Sequence, residues 1–211
     1  MSGIHQGDGH NDQEEWGYYP RRVQALEAVL VEKGLCSRAE IQRAVDEMDL
    51  RSHVDGGRVV ARAWVDPEFK ARLLADGKAA VGELGYEATS DMPDLMVAEN
   101  TERLHHLVVC TLCSCYPRWL LGRPPDWYKS LTYRSRAVSE PRVVMEEFGS
   151  SLPPEMEVRV LDSTAEIRYL VLPRRPAGTQ GLSEEDLAKL VTRDSMIGVS
   201  EAQSPEITAA A

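Results

Sequence analysis

The sequence predicts an α+β protein in which a helical N-terminal arm precedes a mixed α/β domain. Apolar residues recur with helical spacing up to about residue 85, and short β-rich runs begin only after residue 100. Three of the four cysteines lie within six residues, 110–115, directly after the first β-rich run. We therefore expect the α/β domain to carry a loop built around these cysteines.

The arm follows a polar tail. Residues 1–15 are rich in Gly, His and Asp and have no periodicity, which predicts disorder. Apolar residues at helical spacing predict a helix over 20–33 that ends at Gly34. Ser37 and Glu40 have the spacing of a capping box, which predicts a second helix to about residue 50.

Two further helical segments complete the arm. A helical pattern covers 58–64, and Asp66 followed by Pro67 supplies the N-cap and the first-turn proline of a helix that continues to about residue 85. We assign residues 16–85 to a helical N-terminal region and 86–199 to the α/β domain.

The α/β domain begins with a β-rich run over 104–112, which delivers Cys110 from the end of a strand into a loop. Three prolines after this loop argue against regular structure nearby. The later elements are predicted in the following order: a helix over 141–148, two strands over 156–161 and 166–172 forming a hairpin, a helix from Ser183 to about Arg193, and a frayed tail over 200–211.

Composition narrows the class of protein. The chain has 211 residues and a formal net charge of -10, which disfavours nucleic acid as a partner because phosphates select basic surfaces. No apolar run is long enough to span a membrane, and no signal-peptide pattern begins the chain. Clustered cysteines are not a secreted disulfide framework. These features are typical of a cytoplasmic enzyme subunit.

The cysteine loop, residues 110–117, has the spacing C-x-x-C-x-C. The thiolates of Cys113 and Cys115 and the backbone nitrogens of Ser114 and Cys115 can lie in one plane around a metal, with Cys110 on an axis and the opposite position open. Thiolate and amide nitrogen are strong donors that suit a low-spin trivalent ion. An open coordination position permits catalysis.

Two alternative interpretations of the cysteines remain. A closed zinc site needs a fourth ligand, which His105 or His106 can provide. A disulfide between Cys113 and Cys115 would be strained and is disfavoured. The fourth cysteine, Cys36, lies between two helical patterns and is expected to be a partly buried packing residue.

A family resemblance extends from the cysteine loop into its flanks. Up to and including the loop, it is carried by Glu99-Asn100-Thr101, His105-His106, and Val109 to Pro117. After the loop, it is carried by Gly122 to Lys129, Tyr133 to Arg142, Arg175 to Thr179, and Leu190 to Val199. Over roughly residues 17–199, the chain resembles the nitrile hydratase alpha subunit.

The resemblance implies a subunit that converts a nitrile and water to the amide. It assigns the metal ligands to Cys110, Cys113, Ser114 and Cys115, with Cys113 oxidised to the sulfinic and Cys115 to the sulfenic level. Cys115 and Ser114 are the implied catalytic residues. Thr111 is typical of members that hold non-corrin Co(III) rather than Fe(III). The resemblance further implies a beta subunit, in one chain or two, whose arginines hold the cysteine oxygens, and a metallochaperone or activator protein.

The substrate pocket is the part that the resemblance leaves open. Tyr116, Arg118 and Trp119 are candidate pocket residues, but Arg118-Trp119 replaces the usual Trp-Pro. The arginine resembles the catalytic subunit of thiocyanate hydrolase, a cobalt relative with an anionic substrate. The Arg-Trp pair can also stack on a heterocyclic nitrile such as a toyocamycin-type nucleoside. A non-catalytic, cobalt-carrying or regulatory subunit is the third alternative.

A basic cluster follows the cysteine loop. Arg134, Arg136 and Arg142 stand close together in an otherwise acidic chain. We expect them to form ion pairs at the surface or at a subunit interface. The alternative is that one of these arginines orients the cysteine loop or contacts the beta subunit.

Overall fold

The computed structural model describes residues 12–86, 88–89 and 91–205, with side chains from Gly17 onward. Its contacts divide the chain into two compact units, one ending at Leu50 and one beginning at Arg51. Most of the predicted tail, residues 1–11, lies outside the described residues, as do residues 206–211 of the predicted C-terminal tail. The predicted boundaries of the two regions stay predictions.

From residue 12 onward, the first unit consists of two helices, α1 (Asp12–Glu32) and α2 (Arg38–Asp49), and their connection. Both were predicted, but α1 begins eight residues before the expected start at Pro20, since a proline inside a helix removes one hydrogen bond without necessarily ending it. The capping box of α2 is confirmed, because the side chains of Ser37 and Glu40 each accept the other's backbone N–H. No residue of α2 is buried.

The second unit opens with three helices, α3 (His53–Val65), α4 (Pro67–Ala75) and α5 (Gly77–Gly82). The prediction missed residues 53–57 at the start of α3, because this stretch contains two adjacent glycines, which lower helix propensity. Packing explains one of them: a Cβ on Gly56 would overlap the side chain of Leu121. Asp66 caps α4 as predicted.

In the described part of the chain, four strands form two separate parallel pairs. They are β1 (Asp94–Glu99), β2 (Leu104–Val109), β3 (Glu157–Asp162) and β4 (Ile167–Leu172). Strand β1, which the sequence analysis missed, pairs with β4, and β2 pairs with β3. The predicted hairpin between β3 and β4 is therefore wrong. Each strand instead pairs with a strand far away in the chain. Strand pairing depends on which faces can be buried together, and local sequence spacing does not show this.

Short helices fill the connections. They are α6 (Arg118–Leu121), α7 (Asp126–Lys129), α8 (Leu131–Ser139), α9 (Pro141–Glu147), α10 (Glu184–Lys189) and α11 (Arg193–Ile197). The helix predicted over 141–148 is confirmed. The expectation of irregular structure beside the prolines is wrong, because Pro117 and Pro125 act as the N-caps of α6 and α7. The predicted helix up to Arg193 is split in two, since Thr192 and Ser195 form a capping box that starts a new helix.

The hydrophobic core of the second unit surrounds β2. Leu107, Val108 and Val109 are buried, and Leu170 and Leu172 of β4 belong to the same cluster. The C-terminal end of β2 is held in this core, so the residue that follows it, Cys110, starts from a fixed point. Within the described residues, no helix has the length and apolar character needed to cross a membrane.

Candidate metal centre

The cysteine loop leaves β2 where hydrogen bonds from two other elements hold the strand. The Tyr133 hydroxyl on α8 donates to the carbonyl of Val108 at 2.6 Å. The backbone N–H of Ser163, just after β3, donates to the carbonyl of Val109 at 2.7 Å. The strand end is thus anchored on both sides, and the loop begins in a defined direction.

The three sulfurs of the loop lie together. The Sγ of Cys113 is 3.4 Å from that of Cys110 and 3.2 Å from that of Cys115, and all three Sγ atoms lie within 4.8 Å of one another. Cys110 and Cys115 are buried, whereas Cys113 is exposed. The prediction that the three cysteines of the loop form one cluster is confirmed, and we call this group of three sulfurs and their loop the metal claw.

Backbone amides also face this cluster. The N–H of Cys113 donates to the Sγ of Cys110 at 3.2 Å, and the N–H groups of Ser114 and Cys115 interact with the Sγ of Cys113. Hydrogen bonds from the thiols of Cys115 and Cys110, followed by those two amides, lower the pKa of the Cys113 thiol. Burial raises the pKa of Cys115 to about 12. These directions favour the thiolate form, the form that metals bind, at Cys113 over Cys115.

The first half of the loop is clamped from two sides. The carboxylate of Asp162, at the end of β3, accepts the backbone N–H of Thr111 at 2.9 Å and its hydroxyl at 2.6 Å. The guanidinium of Arg134, on α8, donates to the carbonyls of Cys110 at 3.0 Å and Thr111 at 2.6 Å. Every polar group of Thr111 is thereby hydrogen-bonded.

The second half of the loop leads into an aromatic layer. The Tyr128 hydroxyl donates to the carbonyl of Cys115 at 2.8 Å. The ring of Tyr116 packs edge-to-face on Tyr128, with 5.4 Å between their centroids. Both tyrosines are buried, and burial raises the pKa of each hydroxyl. These contacts fix the exit of the loop as firmly as its entrance.

The three candidate pocket residues occupy different environments. Tyr116 is buried, Trp119 packs on the core, and Arg118 is exposed. The hydroxyl of Tyr116 and the indole N–H of Trp119 are buried without a hydrogen-bond partner among the described residues. Their assignment to a substrate pocket stays a prediction.

The two histidines before the loop are used elsewhere. One ring nitrogen of His105 lies 2.8 Å from the carbonyl of Gly198 and the other 3.1 Å from the side chain of Asn100. His106 contacts the same asparagine. Burial lowers the pKa of both rings, so both are neutral at pH 7. The only metal-capable group found in the described residues consists of the three cysteines, so the zinc interpretation lacks its fourth ligand.

The basic cluster separates into three roles. Arg136 forms ion pairs with Glu140 and Glu147, as expected. Arg142 donates to backbone carbonyls between residues 152 and 156. Arg134 donates to two carbonyls of the cysteine loop. The ion-pair prediction is therefore wrong for Arg134 and Arg142, and the contact of Arg134 fits the alternative that one arginine orients the loop. The sequence analysis missed the contacts of Asp162 and Tyr128 with the loop and of Ser163 with the strand end before it, because nothing in local spacing links these residues to the cysteines.

Comparison with known proteins agrees with this geometry. The family model described as "Nitrile hydratase, alpha chain" matches residues 18–200, which is most of the chain. The chain belongs to the nitrile hydratase alpha-chain family. The resemblance inferred from the cysteine loop and its flanks is confirmed.

Individual nitrile hydratases and one relative of different activity are similar along nearly the whole chain. The cobalt-containing nitrile hydratase subunit alpha of Pseudonocardia thermophila is 53% identical over 186 residues, which are 87% of this chain and 90% of that protein. A solved recombinant thiocyanate hydrolase with partially modified cobalt centres has a TM-score of 0.84 and 40% identity, covering 89% of this chain and 91% of its own. A double mutant of the Fe-type nitrile hydratase from Comamonas testosteroni Ni1 has a TM-score of 0.83 and 41% identity, covering 93% of each chain.

Proposed function

We propose that this chain is the metal-binding alpha subunit of a nitrile hydratase that converts a nitrile and water to the amide at a low-spin, non-corrin Co(III) centre. The observation that carries the proposal is the group of three Sγ atoms within 4.8 Å of one another, next to two backbone amides. Cobalt is favoured over iron by Thr111 and by the similarity to cobalt-containing relatives.

The donor set fits such an ion. The thiolates of Cys110, Cys113 and Cys115 and the backbone nitrogens of Ser114 and Cys115 would hold it, and no carboxylate or histidine belongs to the group among the described residues. Sulfur and amide nitrogen donors suit a transition metal of this kind and exclude Mg²⁺ or Ca²⁺ as preferred occupants. When bound, cobalt supplies a Lewis acid that polarises a nitrile or lowers the pKa of water.

Three residues at the end of the cysteine loop would have separate roles in the reaction. Cys115, at the sulfenic level, would provide an oxygen that acts as nucleophile or as base toward water. The half-buried hydroxyl of Ser114 would orient water or substrate by hydrogen bonding. Tyr116 would form the buried wall behind Cys115.

A partner subunit is the second part of the proposal. Cys113 is exposed and the neighbouring Leu112 is 87% exposed, so one side of the loop is open in the isolated chain. A beta subunit, of one chain or two, would cover this side and supply the arginines that hold the oxidised cysteines. We further propose that an activator protein delivers the cobalt.

A second candidate function is the hydrolysis of thiocyanate. Arg118 is exposed three residues after Cys115, and a cation there would suit an anionic substrate. A thiocyanate hydrolase is also among the similar structures. We rank nitriles first, including bulky or heterocyclic ones such as toyocamycin-type nucleosides, because the nitrile hydratase relative is the more similar in sequence.

The test combines elemental analysis with turnover. The chain is produced with its beta partner in cobalt-supplemented medium and offered an aliphatic nitrile, a heterocyclic nitrile and thiocyanate. We expect about one cobalt per chain and amide product. Carbonyl sulfide and ammonia from thiocyanate would favour the second candidate. Cobalt without turnover of any of the three substrates would indicate a carrier or regulatory subunit, and zinc would refute the cobalt assignment.

A further inference from the structure

Arg134 makes two hydrogen bonds to the cysteine loop and has no role in the chemistry proposed above. Its Nε donates to the carbonyl of Cys110 at 3.0 Å and its Nη2 to the carbonyl of Thr111 at 2.6 Å. A planar guanidinium can donate to two successive carbonyls from two separate nitrogens in a fixed geometry, whereas a lysine ammonium has all three of its donors on one nitrogen at the end of a flexible chain. The spacing of the two carbonyls therefore favours arginine over lysine.

The helix that carries Arg134 is itself firmly placed. The preceding residue, Tyr133, is buried and donates its hydroxyl to the carbonyl of Val108. Helix α8 thus contacts the end of β2 and the start of the loop through two adjacent side chains. On the same helix, Arg136 points to Glu140 and Glu147 instead. Two arginines that are two residues apart have different partners, which gives a matched control.

The contact acts on the geometry of the loop. Asp162 accepts hydrogen bonds from the N–H and the hydroxyl of Thr111, and Arg134 donates to its carbonyl. Rotation of Thr111 would therefore break at least one of these hydrogen bonds. Since Thr111 follows Cys110 directly, fixing both of their carbonyls fixes the direction in which the Cys110 sulfur leaves the strand. The short distance between the Sγ atoms of Cys110 and Cys113 depends on that direction.

We propose that Arg134 is a positioning residue for the metal claw, holding the Cys110–Thr111 segment so that the three sulfurs are preorganised before metal arrives. The role of the claw as a cobalt site rests on the function proposed above. The clamping of the loop by Arg134 does not, because it is a property of the chain without metal. Preorganised ligands bind metal more tightly and hold it in one coordination geometry.

The first measurement is hydrogen exchange of the full chain, purified without added metal, in Arg134→Lys and Arg136→Lys. Arg134→Lys should accelerate exchange of the Thr111 and Cys113 amides about tenfold, because the loss of a forked hydrogen bond opens the loop more often. Arg136→Lys should leave these amides unchanged, and exchange across β2 should be unchanged in both variants. Unchanged loop exchange in Arg134→Lys overturns the proposal.

The second measurement uses the cobalt-loaded complex with the beta partner. We expect Arg134→Lys to shift the sulfur-to-cobalt charge-transfer absorption and to lower kcat per bound cobalt about tenfold with little change in KM, since misplaced ligands alter the metal rather than substrate binding. Arg136→Lys should match the wild type in both readouts. An unaltered spectrum in Arg134→Lys would refute the link between the clamp and the metal.

The positioning role of Arg134 and the proposed nitrile hydratase function can fail separately. A wild-type complex that binds no cobalt contradicts the proposed function, while the exchange experiment still decides whether Arg134 clamps the loop. Arg134→Gln covers the case in which lysine disturbs folding: it also lacks the fork, so it must reproduce the faster exchange at Thr111 and Cys113. Wild-type exchange in Arg134→Gln overturns the proposal equally.

Discussion

The cysteine loop and helix α2 obtain their structure in opposite ways. The side-chain capping bonds at the start of α2 join Ser37 and Glu40, which are three residues apart. The bonds that shape the entrance of the cysteine loop come from Arg134 and Asp162, which lie 23 or more residues away in sequence. A helix start can be encoded locally, whereas the position of the sulfurs depends on two other elements being in place.

This difference separates mutations that act on the site from mutations that act on one element. A change at the loop or at its distant clamps should alter metal binding, and a change in a local cap should alter only its own helix.

The largest effect is expected at the sulfurs. Cys113→Ser or Cys115→Ser removes one thiolate donor, and because the remaining donors no longer hold the ion in one geometry, cobalt incorporation and turnover should both fall more than about a hundredfold. Cys36→Ser is the matched control, since Cys36 lies in the first unit and outside the metal-capable group, and it should leave both unchanged. Cobalt content by mass spectrometry and amide production check the result. Retained activity in either loop variant would refute the assignment of the site.

The next largest effect is expected on stability, at Gly198, which packs against β2. Gly198 has φ 89, and a Cβ there would overlap the carbonyl of His106 in β2. Gly198→Ala should therefore cost about 3 kcal/mol of unfolding free energy. Gly149 has φ 83 but open space around it, so Gly149→Ala should cost only about 1 kcal/mol. Chemical denaturation measures both values, and equal costs would show that the contact with β2 is unimportant.

A smaller effect is expected at the carboxylate clamp. Asp162→Asn leaves one acceptor oxygen for the two donors of Thr111, so one of the two hydrogen bonds is lost and turnover should fall about tenfold. Asp126→Asn is the control, because Asp126 is exposed and its one ion pair among the described residues is with Lys129 on its own short helix. Its turnover should equal that of the wild type. Equal activity in the two variants would mean that the clamp does not position the loop.

The smallest effect is expected in the first unit. Ser37→Ala removes the cap of α2 and should destabilise that helix by about 1 kcal/mol. Exchange of the first-turn amides of α2 should rise, while cobalt content and the exchange of the cysteine loop stay at wild-type values. A change in cobalt content here would show that the local helix and the site are coupled.

The residues of the cysteine loop illustrate how far the sequence could be interpreted. The spacing of Cys110, Cys113 and Cys115 predicted one cluster, and the structure brings their sulfurs together. The roles of the basic residues after the loop could not be predicted from sequence, because nothing in local spacing distinguishes Arg134 from Arg136. Only the rotation of α8 decides that the first contacts the loop and the second pairs with glutamates. The sequence also left open whether His105 or His106 is a metal ligand. In the structure, His105 is hydrogen-bonded to Asn100 and Gly198, and His106 contacts Asn100.

The sequence by itself determined the features that depend on neighbours within one turn or one loop: the caps of α2 and α4, the helical character of the first part of the chain, and the cysteine spacing that identifies the family. Tertiary structure decided the partners of the strands and the clamps of the loop. Strands β3 and β4 are close enough in sequence to form a hairpin, yet each pairs in parallel with a strand much earlier in the chain. The physical reason is that capping bonds are made within a few residues, whereas strand partners are selected by which faces can be buried together once the whole core has formed.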